Sequence, residues 1–419
     1  MSELDFDFAK LISPIDPASF FRDTWEKKPL VVSRNQPDYY SRLFSVRDVD
    51  SMIHFTRPRF SGIRTESTPT QALRGNFPHD EHLFFEGENN IAALSNQYAQ
   101  GKTIFVHKLE QRWKSVATLC RDLESTLHHP VNASMFLTPR NSQGVSAHFD
   151  SVEVFVLQIE GSKHWRLYKP TVELPLKEAF EPIPREQIGE PIQEVHVKPG
   201  DLIYIPRGFI HEAFASDDSS LHITVAVSVF RWADLVQAAL ACLSAKDVRF
   251  RRAVPVGALG GGEIADAVRT QFEELLQQLV RGARVEDAMA ALGDQFIGDM
   301  AVLPGAHFLP PEEIDRIELE TVLERSKGMV CRVVEDAASV SIQFPGSRMR
   351  APTHLRPALE FISKASRFPV GALPGGLSDN SKLILAKRLI RDGLLTIVDD
   401  PAGRTNTTAR SFPEICPIK

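Results

Sequence analysis

Two segments constrain this 419-residue chain more than any others: SAHFDSVEVFVLQIEGSKHWRLY over Ser146–Tyr168 and VKPGDLIYIPRGFIH over Val197–His211. Val152–Ile159 is apolar and β-branched, Gly161 and Ser162 supply a turn, and His164–Tyr168 resumes an extended pattern. The first segment therefore reads as two joined strands. In the second, Pro199-Gly200-Asp201 is a turn, Leu202–Ile205 a buried strand and Pro206-Arg207-Gly208 a further turn, after which His211 opens the next element.

His148 and Asp150 stand two residues apart. On a strand that spacing puts both side chains on one face, where an imidazole nitrogen and a carboxylate oxygen can converge on one cation. Two adjacent ligands do not make a site, and His211 is the third candidate. Two histidines and one carboxylate form the facial triad that leaves coordination positions open on non-haem Fe(II). The same residues also fit ordinary core and loop histidines, and spacing alone does not choose between the readings.

The segments HFDSVEVFVLQIEGSKHWRLY, KPGDLIYIPRGFIHEA and SLHITVAV together resemble the JmjC-type cupin oxygenases, most closely the ribosomal oxygenase branch. The likeness covers roughly Ser134–Trp232 and weakens towards both ends, with the phrase WEKKPL near the N-terminus also similar to that branch. The resemblance implies an Fe(II)- and 2-oxoglutarate-dependent hydroxylase that uses O2 and acts on a ribosomal protein side chain. It implies His148, Asp150 and His211 as the iron ligands. Lys163 falls where the family pairs a basic residue with the distal carboxylate of 2-oxoglutarate. Thr224 lies on a strand whose polar residues relatives use near the co-substrate. One departure stands out: members often carry Asn-x-Tyr where this chain has Ser134-Met135-Phe136, at the co-substrate and substrate end of the cavity.

Composition limits the alternatives. A chain of this length exceeds one ordinary core, so two or three domains are expected. Hydrophobic content of 43% and charged content of 24% are those of a globular protein. The net charge of −6 argues against direct nucleic-acid binding. Cys120, Cys242, Cys331 and Cys416 are scattered, which suggests neither a disulfide framework nor a zinc ribbon. Glu3, Asp5 and Asp7 stand where a signal peptide needs positive charge, and no run approaches a membrane span, so a cytoplasmic location is expected.

Outside the two segments the local patterns are weaker. A helix should end before Pro29 and lead into a strand at Leu30–Val32, and Asp48–Ile53, Asn90–Gln97 and Leu109–Thr126 read as helices. The cluster His79-Asp80-Glu81-His82 reads as a solvated loop, and His196 as a structural histidine. After Trp232 the β-branched alternation gives way to helical periodicity over Ala233–Arg252 and Gly262–Phe296, joined by GALGGG at residues 257–262. That glycine run lacks the Lys-Ser/Thr ending of a phosphate loop and reads as a connection. From Pro310 onward, Ile314–Arg325 reads as a helix, Met329–Val334 and Ser339–Phe344 as a hairpin, Thr353–Ala365 and Ser381–Arg391 as helices, and Leu394–Val398 as a strand. Lys382, Lys387, Arg388 and Arg391 fit either a recognition helix or a solvated basic face.

The expected fold is therefore α+β. A double-stranded β-helix (cupin, JmjC) barrel with N-terminal helices spans residues 1–232. A helical segment that relatives use to form a homodimer occupies 233–305, and a C-terminal winged helix, on resemblance, 306–419.

Overall fold

The computed structural model describes residues 6–55, 63–66, 91–176, 183–215, 217–260, 265–302, 310–326, 328–336 and 338–398. The His79–His82 cluster and Cys416 lie outside these residues, as does the end of the GALGGG run. The chain divides into two compact units. The first holds Met1–Leu303 with two short later pieces, and the second holds most of the C-terminal remainder.

The first unit contains eleven described strands: β1 (Leu30–Val32), β2 (Ile63–Glu66), β3 (Thr103–Val106), β4 (Val131–Thr138), β5 (Ser142–His148), β6 (Glu153–Gly161), β7 (Lys163–Leu167), β8 (Gln193–Val197), β9 (Leu202–Ile205), β10 (His211–Ala215) and β11 (Ser220–Val227). They form a seven-stranded sheet in the order β1-β9-β6-β11-β4-β3-β2 and a four-stranded sheet in the order β5-β10-β7-β8. The chain passes from one sheet to the other between β4 and β5, β5 and β6, β6 and β7, β8 and β9, β9 and β10, and β10 and β11. This back-and-forth winding of antiparallel strands is the double-stranded β-helix.

Period-two alternation decides what each sheet face does. On β4, Val131, Ala133, Met135 and Leu137 turn outward, and on β11 Leu221, Ile223, Val225 and Val227 do the same. They pack in one core with Leu11, Phe20 and the helix Lys114–Leu127, whose Val116, Leu119 and Leu123 form its buried stripe. The intervening residues, among them Ser134, Phe136, Thr138, His222 and Thr224, therefore face the four-stranded sheet. Between the sheets, Val154, Val156, Leu167, Ile203 and Ile205 pack with Trp165 in a second core.

Gly161 makes the β6–β7 reversal possible. Its φ is +62°, and a Cβ there would sit 1.7 Å from the carbonyl oxygen of Ser219, so no other residue fits.

Among the described residues, the barrel is followed in the first unit by the α-helices Trp232–Lys246, Asp266–Gly282 and Val285–Asp299. The expected single helical run over Gly262–Phe296 is thus two helices, broken at Ala283 and Arg284, both in extended backbone. Helix Asp266–Gly282 buries none of its residues and exposes Phe272, Leu276 and Val280.

The C-terminal part of the chain has helices Pro311–Asp315, Arg356–Lys364 and Asp379–Arg391 and strands β12 (Val322–Arg325), β13 (Arg332–Glu335), β14 (Val340–Phe344), β15 (Ser347–Ala351), β16 (Arg367–Pro369) and β17 (Leu395–Ile397). Two three-stranded sheets result, β16-β12-β17 and β13-β14-β15. Ile314–Arg325 is not a helix. A short helix ends at Asp315, and Val322–Arg325 becomes a strand because β16 and β17 pair with it on both sides. Tertiary pairing overrides local propensity here.

Candidate metal centre

His148 is the last residue of β5 and His211 the first of β10, and the two are direct partners in the antiparallel register. Asp150 does not lie on the strand as its spacing suggests. It sits in the loop before β6, two residues past the end of β5. That loop is held where it is needed, because the Gly208 N–H donates to the Asp150 carbonyl oxygen at 2.9 Å. The Asp150 Oδ2 is 3.6 Å from His211 Nε2. One ligand atom from each of the three residues falls within 4.8 Å of the others, the only such cluster of three among the described residues.

The orientation of both imidazoles is set by their neighbours. His148 Nδ1 lies 2.7 Å from the Ser146 carbonyl oxygen and His211 Nδ1 lies 3.1 Å from that of Phe209. A carbonyl only accepts, so Nδ1 carries the proton and Nε2 offers its lone pair to a cation. Burial, with a further contribution from His148, pushes His211 down to about 4, so it is neutral near pH 7, as a ligand must be. Asp150 and His148 are only partly buried, which leaves the cation position an open side.

Deeper in the barrel, Lys163 opens β7 and is buried. Its Nζ donates to Thr138 Oγ1 at 2.9 Å, and Thr103 Oγ1 donates to the same hydroxyl at 3.2 Å. Burial pulls the lysine down to about 7. The next inward residue on β7 is Trp165, whose ring centroid is 5.9 Å from that of His211 and 5.5 Å from that of His222. His222 lies flat on Phe136, with centroids 4.8 Å apart and planes 4° apart. His222 Nδ1 and Trp165 Nε1 are buried without a hydrogen-bond partner.

The register of β4 and β11 orders this wall of the cavity. Thr138 opposes Ser220, Phe136 opposes His222 and Ser134 opposes Thr224. Ser134 and Thr224 thus form one rung, two rungs from the hydroxyl that meets Lys163, and the Ser134 hydroxyl lies 3.1 Å from His107 Nδ1. The motifs of the sequence do not single out Thr138 or Trp165 as site residues, and they place His222 only on one strand face with Thr224. A signal for two of them exists, since Thr138 and His222 share the inward face of Ser134 and Thr224 by period two. His196, read as structural, stacks on His164 at 4.1 Å in the strand pair β7–β8, away from the triad.

Fold and site together define a barrel protein of the JmjC type, and the JmjC domain family profile matches residues 106–235. The chain is 33% identical over 323 residues to ribosomal oxygenase 1 of Danio rerio, a match that covers 70% of this chain and 56% of that protein. It is 32% identical over 336 residues to ribosomal oxygenase 2 of Bos taurus, covering 73% of this chain and 70% of the relative. The chain belongs to the ribosomal oxygenase family. Among solved structures, the Escherichia coli ribosomal oxygenase YcfD in complex with cobalt and 2-oxoglutarate shares the fold, with a TM-score of 0.55 at 17% identity over 92% of this chain and 98% of that one.

Proposed function

We propose that this protein is an Fe(II)- and 2-oxoglutarate-dependent oxygenase that hydroxylates a side chain of a ribosomal protein. The observation that carries the reading is the convergence of His148, Asp150 and His211 with both Nε2 lone pairs free. The fit to a metal rests on that donor set, two imidazoles and one carboxylate, which holds a divalent ion through three positions and leaves the others to external ligands. The fit to a dicarboxylic co-substrate rests on Lys163. It is a buried ammonium with one hydroxyl partner, beside a His222 Nδ1 and a Trp165 Nε1 that have none. Unpartnered polar groups in a protein interior are costly, and an anion with several acceptor oxygens satisfies donors such as the Lys163 amine and the Trp165 N–H.

In this assignment His148, Asp150 and His211 hold the iron and Lys163 holds the distal carboxylate of 2-oxoglutarate. Ser134 and Thr224 line the same cavity wall. When bound, iron, 2-oxoglutarate and O2 supply the oxidising power that places oxygen on a substrate carbon. The protein contributes position and dryness. The carbonyls of Ser146 and Phe209 aim the imidazoles, Trp165 packs beside His211, and Phe136 offers an apolar face where relatives carry a tyrosine. The similarity to proteins named ribosomal oxygenase supports a ribosomal protein as substrate.

Homodimer formation belongs to the same reading, supported by the unburied apolar face of helix Asp266–Gly282. So does a winged-helix role for residues 306–419 in protein contact rather than nucleic-acid binding. Lys387 and Arg391 face Asp315, Arg388 pairs with Asp392, and Lys382 donates to the Gly371 carbonyl, which leaves little of that helix's charge for phosphate. A cytoplasmic location completes the proposal; no described helix is long and apolar enough to cross a membrane.

The test is incubation with Fe(II), 2-oxoglutarate and the ribosomal proteins of the host, and then intact-mass analysis. The expected result is metal-dependent 2-oxoglutarate consumption with a gain of one oxygen on one protein. Formaldehyde release without that gain would instead indicate demethylation, and no co-substrate consumption would indicate a barrel that is not an oxygenase.

A further inference from the structure

Arg207 lies in the turn between β9 and β10, four residues before His211, and is buried. Two carboxylates flank it. Its Nη2 donates to Glu26 Oε1, and its Nε is 3.7 Å from Glu153 Oε1, a charge contact without a hydrogen bond. Glu153 opens β6, three residues after Asp150, and is fully buried. Its other oxygen accepts from the Tyr204 hydroxyl. That hydroxyl in turn accepts from the Glu26 backbone N–H at 2.9 Å, and the neighbouring Trp25 stacks on the Tyr204 ring at 5.8 Å and 12°.

The network ties three distant stretches together: the WEKKPL segment through Glu26, the loop carrying Asp150 through Glu153, and the turn before His211 through Arg207. The adjacent Gly208 N–H closes the circuit on the Asp150 carbonyl. A buried arginine and a fully buried glutamate are costly to desolvate, so an arrangement of this kind makes a weak case for stability and a better one for fixing a geometry. Burial pushes the Glu153 carboxyl up to about 7, against the pull of Tyr204 and Arg207.

We infer that Arg207, bonded to Glu26 and facing the buried charge of Glu153, is a positioning residue that fixes the Asp150 and His211 segments in register for metal binding, with the N-terminal segment as its outer anchor. The inference rests on the metal reading proposed above and goes beyond it, because neither Arg207 nor its partners Glu26, Glu153 and Tyr204 belong to the donor set.

Co(II) binding to the full chain, read by its visible absorption spectrum and by titration, tests it, with thermal unfolding of the metal-free protein in parallel. Glu26→Gln, at the partly exposed end of the network, is expected to unfold within a few degrees of the parent yet bind Co(II) about tenfold more weakly, with an altered spectrum. Arg207→Lys should keep part of the affinity that Arg207→Gln loses, since charge is retained and the planar fork is not. If Arg207→Gln does not fold, Glu26→Gln and Arg207→Lys decide the matter. Unchanged Co(II) affinity and spectrum in both folded variants would overturn the inference, provided Asp150→Ala abolishes binding. If the parent binds no Co(II), or Asp150→Ala binds as the parent does, the metal reading itself fails and the positioning role falls with it.

Discussion

Lys163 buries its ammonium against a single hydroxyl, that of Thr138, at 2.9 Å. With its pKa near 7 rather than 10.5, the group is about half charged near neutral pH. A carboxylate bound beside it favours the charged form and raises that pKa again. Above pH 7, 2-oxoglutarate binding should therefore take up a proton, and affinity should be level below about pH 7 and fall by up to about tenfold per unit above it. Calorimetry at pH 8 in buffers of different ionisation enthalpy measures this uptake, and a value of zero would remove Lys163 from the contact. For the ligand-free protein the sign is also fixed. Between 7 and 10.5 the unfolded chain binds more protons at this lysine than the folded one, so its contribution to stability rises with pH across that window.

Lys163→Ala should weaken 2-oxoglutarate binding by roughly ten- to a hundredfold, the loss of a charge-assisted contact of about 1.5–3 kcal/mol. Metal affinity should stay nearly unchanged. Lys163→Arg should retain part of the co-substrate affinity, since the charge remains with a different shape. Titrations of Co(II) and of 2-oxoglutarate on the same preparations separate the two effects, and parallel losses in both would argue against the assignment.

His148→Ala and Asp150→Ala should abolish 2-oxoglutarate turnover while the circular dichroism spectrum stays that of the parent. Each removes one of three donors that lie within 4.8 Å of one another, and Asp150 sits in a loop whose removal from the site disturbs no strand. Turnover at the parent rate in either variant would refute the triad.

Helix Asp266–Gly282 leaves Val280 83% exposed and Phe272 61% exposed, more apolar surface than an isolated helix face usually shows to water. Light scattering at micromolar concentration should report a dimer. Replacing Phe272 and Val280 by Glu should shift it to monomer. A parent protein that is monomeric throughout that range would contradict the proposal.

How far the sequence discloses this site depends on whether the signal is local. Strand β9 and the turns at Gly200 and Gly208 are legible because an apolar run and its breakers are adjacent in the chain. The three triad residues are legible as residue types, but the position of Asp150 is not, since a two-residue spacing looks the same on a strand and in the loop beyond it. Val322–Arg325 departs from its helical pattern because its state is set by β16 and β17, more distant in sequence than any local pattern reaches. His222 and Thr138 emerge from alternation once Thr224 and Ser134 are placed. That His222 Nδ1 and Trp165 Nε1 lack partners is a property of the assembled barrel alone. The Glu26–Arg207 pair joins residues at opposite ends of the barrel sequence, and no spacing rule announces it.

The acceptors that orient His148 and His211 are main-chain oxygens, each two residues upstream of its own imidazole. Many metal-bound histidines rely on a carboxylate for this task, and a single codon change deletes such a partner. Here no substitution at Ser146 or Phe209 removes the oxygen, because every amino acid supplies one. The outer sphere of these two proposed ligands is thus genetically silent. Random mutagenesis should recover many tolerated changes at both positions, while the adjoining imidazoles admit none.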